Sequence, residues 1–183
     1  PKSLGELQHP RVDLFDQRRY GVERSDVDYQ RIILRSALGG EYLADGNKWV
    51  CYADRNAAVR KQDPDMFIAI HCDSSSTASA MGTSAYYYRA YSQPLAKALH
   101  QSIVAAYKSD IYADKPDSFK NKVSRGANFY AFRVTRVEEC PAVLIEYGFV
   151  SNTDECQVLQ NAKNRDALAK ATVEGIKKYI SAS

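Results

Sequence analysis

The stretch Asp65-Met-Phe-Ile-Ala-Ile-His-Cys-Asp73 decides the fold. Met66 to Ile70 is apolar at every position, with Pro64 and Asp65 before it and the loop-forming Ser74 to Ser76 after Asp73. A short run that is apolar on both parities and bounded by breakers reads as a strand buried on both faces of a sheet. His71 and Cys72 then leave that strand at its C-terminal end, where open α/β sheets place their ligands. A second stretch repeats the pattern. Pro141-Ala-Val-Leu-Ile145 is an apolar run that passes into Glu146-Tyr147-Gly148-Phe149. One buried strand thus delivers an imidazole and another a carboxylate, and the meeting of His71 and Glu146 is the candidate site.

Outward from these two strands, the spacing predicts further elements. Residues 2–9 read as a first strand around Leu4 and Leu7, and residues 10–22 as a charged loop. Ser25 and Asp28 form a capping-box-like pair ahead of a predicted helix with Ile32, Ile33, Leu34 and Leu38, closed by Gly39-Gly40. Lys48 to Tyr52 is a short strand candidate, and Asp54 caps a helix running to about Gln62. Thr83 to Arg89 reads as a strand. Ser92, with Pro94 just inside, starts a helix to about Lys108, on which Leu95, Leu99 and Ile103 recur every fourth residue. Residues 109–124 are polar and lack periodicity. A loop of that length in a compact domain is a candidate lid or substrate contact, or a solvated loop. Phe129 to Thr135 reads as a strand, Thr153 to Leu159 as a short helix and Asn164 to about Ile180 as the closing helix. Strands alternating with helices predict an α/β fold with a mostly parallel sheet.

Composition narrows the function. A chain of 183 residues suits one domain with a sizeable core, over 1–183. A net charge of +3 is too small to point to nucleic acid but suits a polyanionic surface such as a cell wall. The chain has no stretch that reads as a signal peptide or a membrane span. The cysteines Cys51, Cys72, Cys140 and Cys156 include no CxxC pair, which argues against a structural zinc knot. Cys72 and Cys140 lie in or beside apolar strands and read as buried thiols. Tyr86 to Tyr88 fall in a strand and read as sheet packing rather than as a carbohydrate platform.

The three histidines differ in their surroundings. His100 sits mid-helix between Ala96 and Val104 and reads as a partly buried or surface residue, whereas His71 stands at a strand mouth. His9 and Glu23 both flank the predicted loop after the first strand. Folded back, they would join His71 as two imidazoles and one carboxylate, a three-ligand zinc set that leaves a fourth position for water. Glu146, outside that set, is placed to take and return a proton. A thiol nucleophile at Cys72 fits less well, because adjacent strand residues point to opposite faces and His71 would not reach it.

The two long motifs resemble those of the zinc-dependent N-acetylmuramoyl-L-alanine amidases (amidase type 3). Asp65 to Asp73 is similar to the strand whose histidine binds zinc. Pro141-Ala-Val-Leu-Ile-Glu-Tyr-Gly-Phe-Val-Ser-Asn152 is similar to the late strand with the catalytic glutamate, here Glu146. Arg125-Gly126 and Arg55 resemble further arginines of that family, and the likeness covers roughly residues 50–180. The first third departs from the pattern. Gln8-His9-Pro10-Arg11 stands where the family has Gly-His-Gly-Gly, although Asp13 falls four residues after His9 as in the family. Gly21-Val22-Glu23 is one residue shorter than the usual Gly-x-x-Glu.

The resemblance implies a three-layer sheet of about six strands with helices on both faces. It implies one zinc per chain, held by His9, Glu23 and His71, with Glu146 as the catalytic residue. The implied reaction is hydrolysis of the amide joining N-acetylmuramic acid to L-alanine in peptidoglycan, carried out outside the cell, at the wall or in the periplasm. A catalytically inactive module of the same fold that binds or regulates at the wall is the alternative, and a zinc hydrolase of free peptides is a third.

Overall fold

The computed structural model describes residues 12–16, 31–36, 39–42, 52–62 and 64–182. Seven strands form one mixed sheet in the order β3-β2-β1-β4-β7-β5-β6. They are β1 (Val12–Asp16), β2 (Arg31–Ser36), β3 (Gly39–Tyr42), β4 (Met66–Asp73), β5 (Thr83–Tyr87), β6 (Ser124–Phe129) and β7 (Ala142–Phe149). The centre, β1·β4 and β4·β7, is parallel, as is β5·β6. The pairs β1·β2, β2·β3 and β5·β7 are antiparallel. The α/β class agrees with the sequence reading, and among the described residues the sheet has seven strands where about six were expected.

The two central strands are apolar on both parities because both of their faces are covered. On one face Met66, Ile68, Val143 and Ile145 pack against Leu95, Leu99 and Ile103 of helix α2 (Gln93–Ala106) and Leu168 and Ile176 of helix α5 (Ala162–Ala182). Leu95, Leu99 and Ile103 are fully buried, and each such burial contributes about 1.5–3 kcal/mol. Gly175 lets α5 lie directly on α2: a Cβ there would come within 2.7 Å of the Leu99 Cα. On the other face Phe67, Ala69, Ala142 and Leu144 pack with Val59 of helix α1 (Tyr52–Gln62), Val134, Val137 and Cys140. Helices therefore cover both faces.

Several expectations are corrected. The chain over 10–22, read as loop, contains β1, and the stretch read as a helix through Ile32, Ile33 and Leu34 is β2. A short apolar run fits either period, and antiparallel pairing with β1, from Val12↔Arg35 to Asp16↔Arg31, decides for strand. Gly39-Gly40 open β3 instead of closing a helix, with Ser36 paired to Gly39. Asp54 lies inside the first turn of α1, not at its cap. The strand expected at 129–135 is β6, five residues earlier; beyond it, Thr135 Oγ1 donates to the carbonyls of Tyr130 and Phe132 and holds an irregular turn. Residues 109–124 are not one long loop. A π turn (Tyr107–Ile111) and helix α3 (Asp117–Lys120) are pinned by ring contacts, Tyr107 tilted against Tyr112 and Tyr112 edge-on to Phe119. The first strand expected at 2–9, and residues 48–51 of the strand expected at 48–52, lie outside the described residues, and Tyr52 opens α1.

Candidate active site

His71 and Glu146 are brought together by the register of two parallel strands. On β4 and β7 the partners run Phe67↔Ala142, Ala69↔Leu144 and His71↔Glu146. Side chains alternate along a strand, so His71 and Glu146 share the face of Phe67, Ala69 and Leu144, the α1 side of the sheet. Neighbouring strands lie about 4.8 Å apart, which sets the imidazole beside the carboxylate. Glu146 is 9% exposed and His71 is half-buried. His71 Nε2 and Glu146 Oε2 are both shielded from solvent. Cys72 falls on the opposite face and packs against the α2/α5 core, so it does not share the site.

The strand exits are locked to one another. β4 bulges between His71 and Asp73 as it leaves the ladder. Val150 N–H then donates to the Asp73 carbonyl at 2.8 Å, and Ser75 N–H to Ser151 Oγ at 2.9 Å. Thr83 Oγ1 donates to the Glu146 carbonyl at 2.7 Å, fixing the backbone of the candidate base against β5.

Beneath these exits lies a residue that the sequence reading did not single out. Glu155 is 0% exposed and accepts N–H bonds from Gly82 at 2.8 Å and Phe149 at 2.7 Å, clamping the start of β5 to the end of β7. Gly148 leaves the room, since a Cβ there would sit 3.1 Å from the Glu155 carboxylate. Burial pushes the Glu155 carboxyl above its usual range, against the two N–H donors and the Arg125 guanidinium, which pull it down. Helix α4 (Thr153–Gln160) delivers it, capped by Asn152, whose Oδ1 accepts from Asp154 and Glu155 N–H. The Asn-x-x-Glu spacing is a helix-start signature visible in the sequence, but it gives no sign that the glutamate turns inward.

Arg125 and Gly126 lie on edge strand β6, with the Arg125 guanidinium over the Phe149 ring at 5.0 Å. Gly126 has φ +95°, a left-handed backbone that favours glycine. Its N–H donates to His100 Nε2 at 3.2 Å. His100 is therefore a buried residue with an acceptor role, and burial lowers its pKa, opposed by a backbone hydrogen bond with Thr83. Arg55 is carried on α1, the helix over the His71 face.

Of the expected ligand set, His71 is described, whereas His9 and Glu23 lie outside the described residues. Among the described residues no group of three or more His, Cys, Asp or Glu assembles as a metal site. The donor chemistry that is described fits zinc: a shielded imidazole nitrogen, with a carboxylate beside it in the same row. Among the described residues Cys72, Cys140 and Cys156 form no disulfide. No helix among the described residues is long and apolar enough to cross a membrane.

Comparison with known proteins adds the family. "Probable cell wall amidase LytH" of Staphylococcus epidermidis is 29% identical over 154 residues, which is 84% of this chain and 47% of that protein. The protein of the same name from Staphylococcus saprophyticus is 30% identical over 137 residues, 75% of this chain and 41% of its own length. The chain thus spans less than half the length of these relatives. Among solved structures, the catalytic domain of CwlV, an N-acetylmuramoyl-L-alanine amidase from Bacillus (Paenibacillus) polymyxa var. colistinus, has the same fold. It superposes with a TM-score of 0.64 at 24% identity, covering 76% of this chain and 71% of that one. The N-acetylmuramoyl-L-alanine amidase of Clostridium difficile 630 gives 0.63 at 26% identity, covering 76% and 70%. The family match itself runs over residues 39–178, from the start of β3 into α5 and through both strands that carry the paired side chains. The chain belongs to the N-acetylmuramoyl-L-alanine amidase family.

Proposed function

We propose that this chain is a single catalytic domain that hydrolyses the amide between N-acetylmuramic acid and L-alanine in peptidoglycan, acting at the cell wall, with one zinc ion. The observation that carries the proposal is the His71↔Glu146 pairing at the ends of two central strands, on one face, in a member of this family. His71 would hold the metal with His9 and Glu23, a two-imidazole, one-carboxylate set of the kind zinc takes in hydrolytic sites. Bound there, zinc supplies Lewis acidity and brings the pKa of a water to roughly 7.

The chain's own residues do the rest. Glu146 takes a proton from the attacking water as the water oxygen bonds to the amide carbonyl carbon, and delivers it to the leaving L-alanine nitrogen as the C–N bond breaks. The products are a lactyl carboxylate and a free amine. The Thr83 and Glu155 contacts hold the strand ends that carry this proton transfer at fixed spacing. The half-buried setting of His71 and the 9% exposure of Glu146 limit water around the reacting groups.

The test is product analysis on purified muropeptides, with zinc removed by chelation and then restored. The expected result is a peptide with a new free L-alanine amine, formed with zinc and lost without it. Zinc-loaded protein that binds peptidoglycan and releases no amine would instead establish the inactive wall-binding module. New amines from within the stem peptide would establish a peptide hydrolase.

A further inference from the structure

Next to Glu146 stands a buried hydroxyl that the fold does not use. Strand β5 pairs antiparallel with β7, and the register places Ser84 opposite Glu146 and Tyr86 opposite Leu144. Opposite residues share a sheet face, with Cβ atoms about 5 Å apart. Ser84, Glu146 and His71 therefore form one row across β5, β7 and β4, on the α1 side of the sheet. Ser84 is 1% exposed, and its Oγ has no hydrogen-bond partner among the described residues. Burying a hydroxyl unpaired is unfavourable, and an alanine would fill the same space without that cost. Its neighbour shows the contrast, since the Thr83 hydroxyl donates to the Glu146 carbonyl. Two consecutive residues of β5 thus bracket the same glutamate, one bound to its backbone and one lying idle beside its side chain.

We propose that Ser84 is a positioning residue for Glu146: when substrate fills the site, its hydroxyl donates to one Glu146 carboxylate oxygen and holds the rotamer in which the other oxygen meets the attacking water. The inference rests on the amidase reading above. A serine hydroxyl carries one donor and rotates freely, so the Ser84 side chain reaches across the ladder without backbone movement. Donation to a carboxylate is among the stronger hydrogen bonds, and fixing a base within hydrogen-bond reach of its proton raises kcat rather than substrate affinity.

The experiment measures kcat and KM on a soluble muropeptide for wild type, Ser84→Ala, Ser84→Thr and Glu146→Gln, together with the double variant Ser84→Ala/Glu146→Gln. Crystal structures of wild type and Ser84→Ala with a bound muropeptide accompany the kinetics. Ser84→Ala is expected to lose about tenfold in kcat with KM held within about twofold, and Ser84→Thr to recover most of the loss. In the Glu146→Gln background, Ser84→Ala should cost nothing further. The liganded wild type should show Ser84 Oγ bonded to the carboxylate, and Ser84→Ala a displaced or doubled Glu146 rotamer. Wild-type kcat in Ser84→Ala overturns the proposal, as does an equal loss in Ser84→Thr or a full loss persisting beside Glu146→Gln. A fully active Glu146→Gln, or a wild type that releases no amine, overturns the amidase reading itself and is seen before any Ser84 variant is compared.

Discussion

The two faces of the sheet are built from the same strands and end differently. On the α2/α5 face, β4 and β7 stay largely apolar to their ends through Ile70 and Cys72, Ile145 and Tyr147, and the helices close over them. On the α1 face the same strands are apolar only as far as Ala69 and Leu144, and then present His71 and Glu146, with Ser84 alongside. On the proposed reading, one face serves cohesion and the other, over its last row, chemistry. Substitutions on the two faces should therefore separate stability from rate.

The largest expected effect is on the chemical face. Glu146→Gln should lower the amidase rate by about 10²–10⁴-fold while leaving the melting temperature near that of wild type, measured by muropeptide hydrolysis and thermal denaturation. A comparable loss of stability would blur the division between faces. Next, Leu99→Ala on the cohesive face should cost about 2–5 kcal/mol in denaturant unfolding, because Leu99 is fully buried where Gly175 of α5 lies against α2. The rate per folded molecule should be unchanged.

Glu155→Gln acts at the strand ends, where Glu155 joins the start of β5 to the end of β7. Gly82 N–H and Phe149 N–H bond to different oxygens of the carboxylate. Glutamine keeps an oxygen at one of those two positions, so one N–H is left facing an NH2 group and unfolding should show a loss of about 1–3 kcal/mol. The smallest effect is a pH dependence at His100. Its folded pKa lies below the ordinary value of 6.5, so the unfolded chain takes up the proton first as pH falls. The contribution of His100 to stability is therefore present above 6.5 and lost as pH drops through its folded value. His100→Gln keeps an acceptor for Gly126 N–H and should flatten the melting temperature between about pH 7.5 and about pH 5.

The same contrast explains what the sequence disclosed. Strands β4 and β7 were legible because central strands must be apolar on both parities, and a polar residue directly after such a run stands out. That made His71 and Glu146 readable from residue types alone. Ile32-Ile33-Leu34 was misread as helix because three adjacent apolar residues fit both periods, and only pairing with β1 settles it. Ser84 could not be found in this way. A serine in a strand is unremarkable until β5, which follows β4 in the chain, is seen to lie beyond β7 in the sheet. Glu155 was hidden for a related reason: the first turn of a short helix usually faces water, and here it is tucked under the ends of two strands. His9 and Glu23 stay proposals, outside the described residues.

The central claim is a division of labour between two adjacent side chains, with His71 holding the metal and Glu146 moving the proton. It is tested most directly by the zinc content of purified wild type, His71→Ala and Glu146→Gln after dialysis against zinc. The account predicts about one zinc per chain in wild type and Glu146→Gln, and its loss in His71→Ala. A His71→Ala protein that still binds zinc at wild-type stoichiometry and affinity would contradict it.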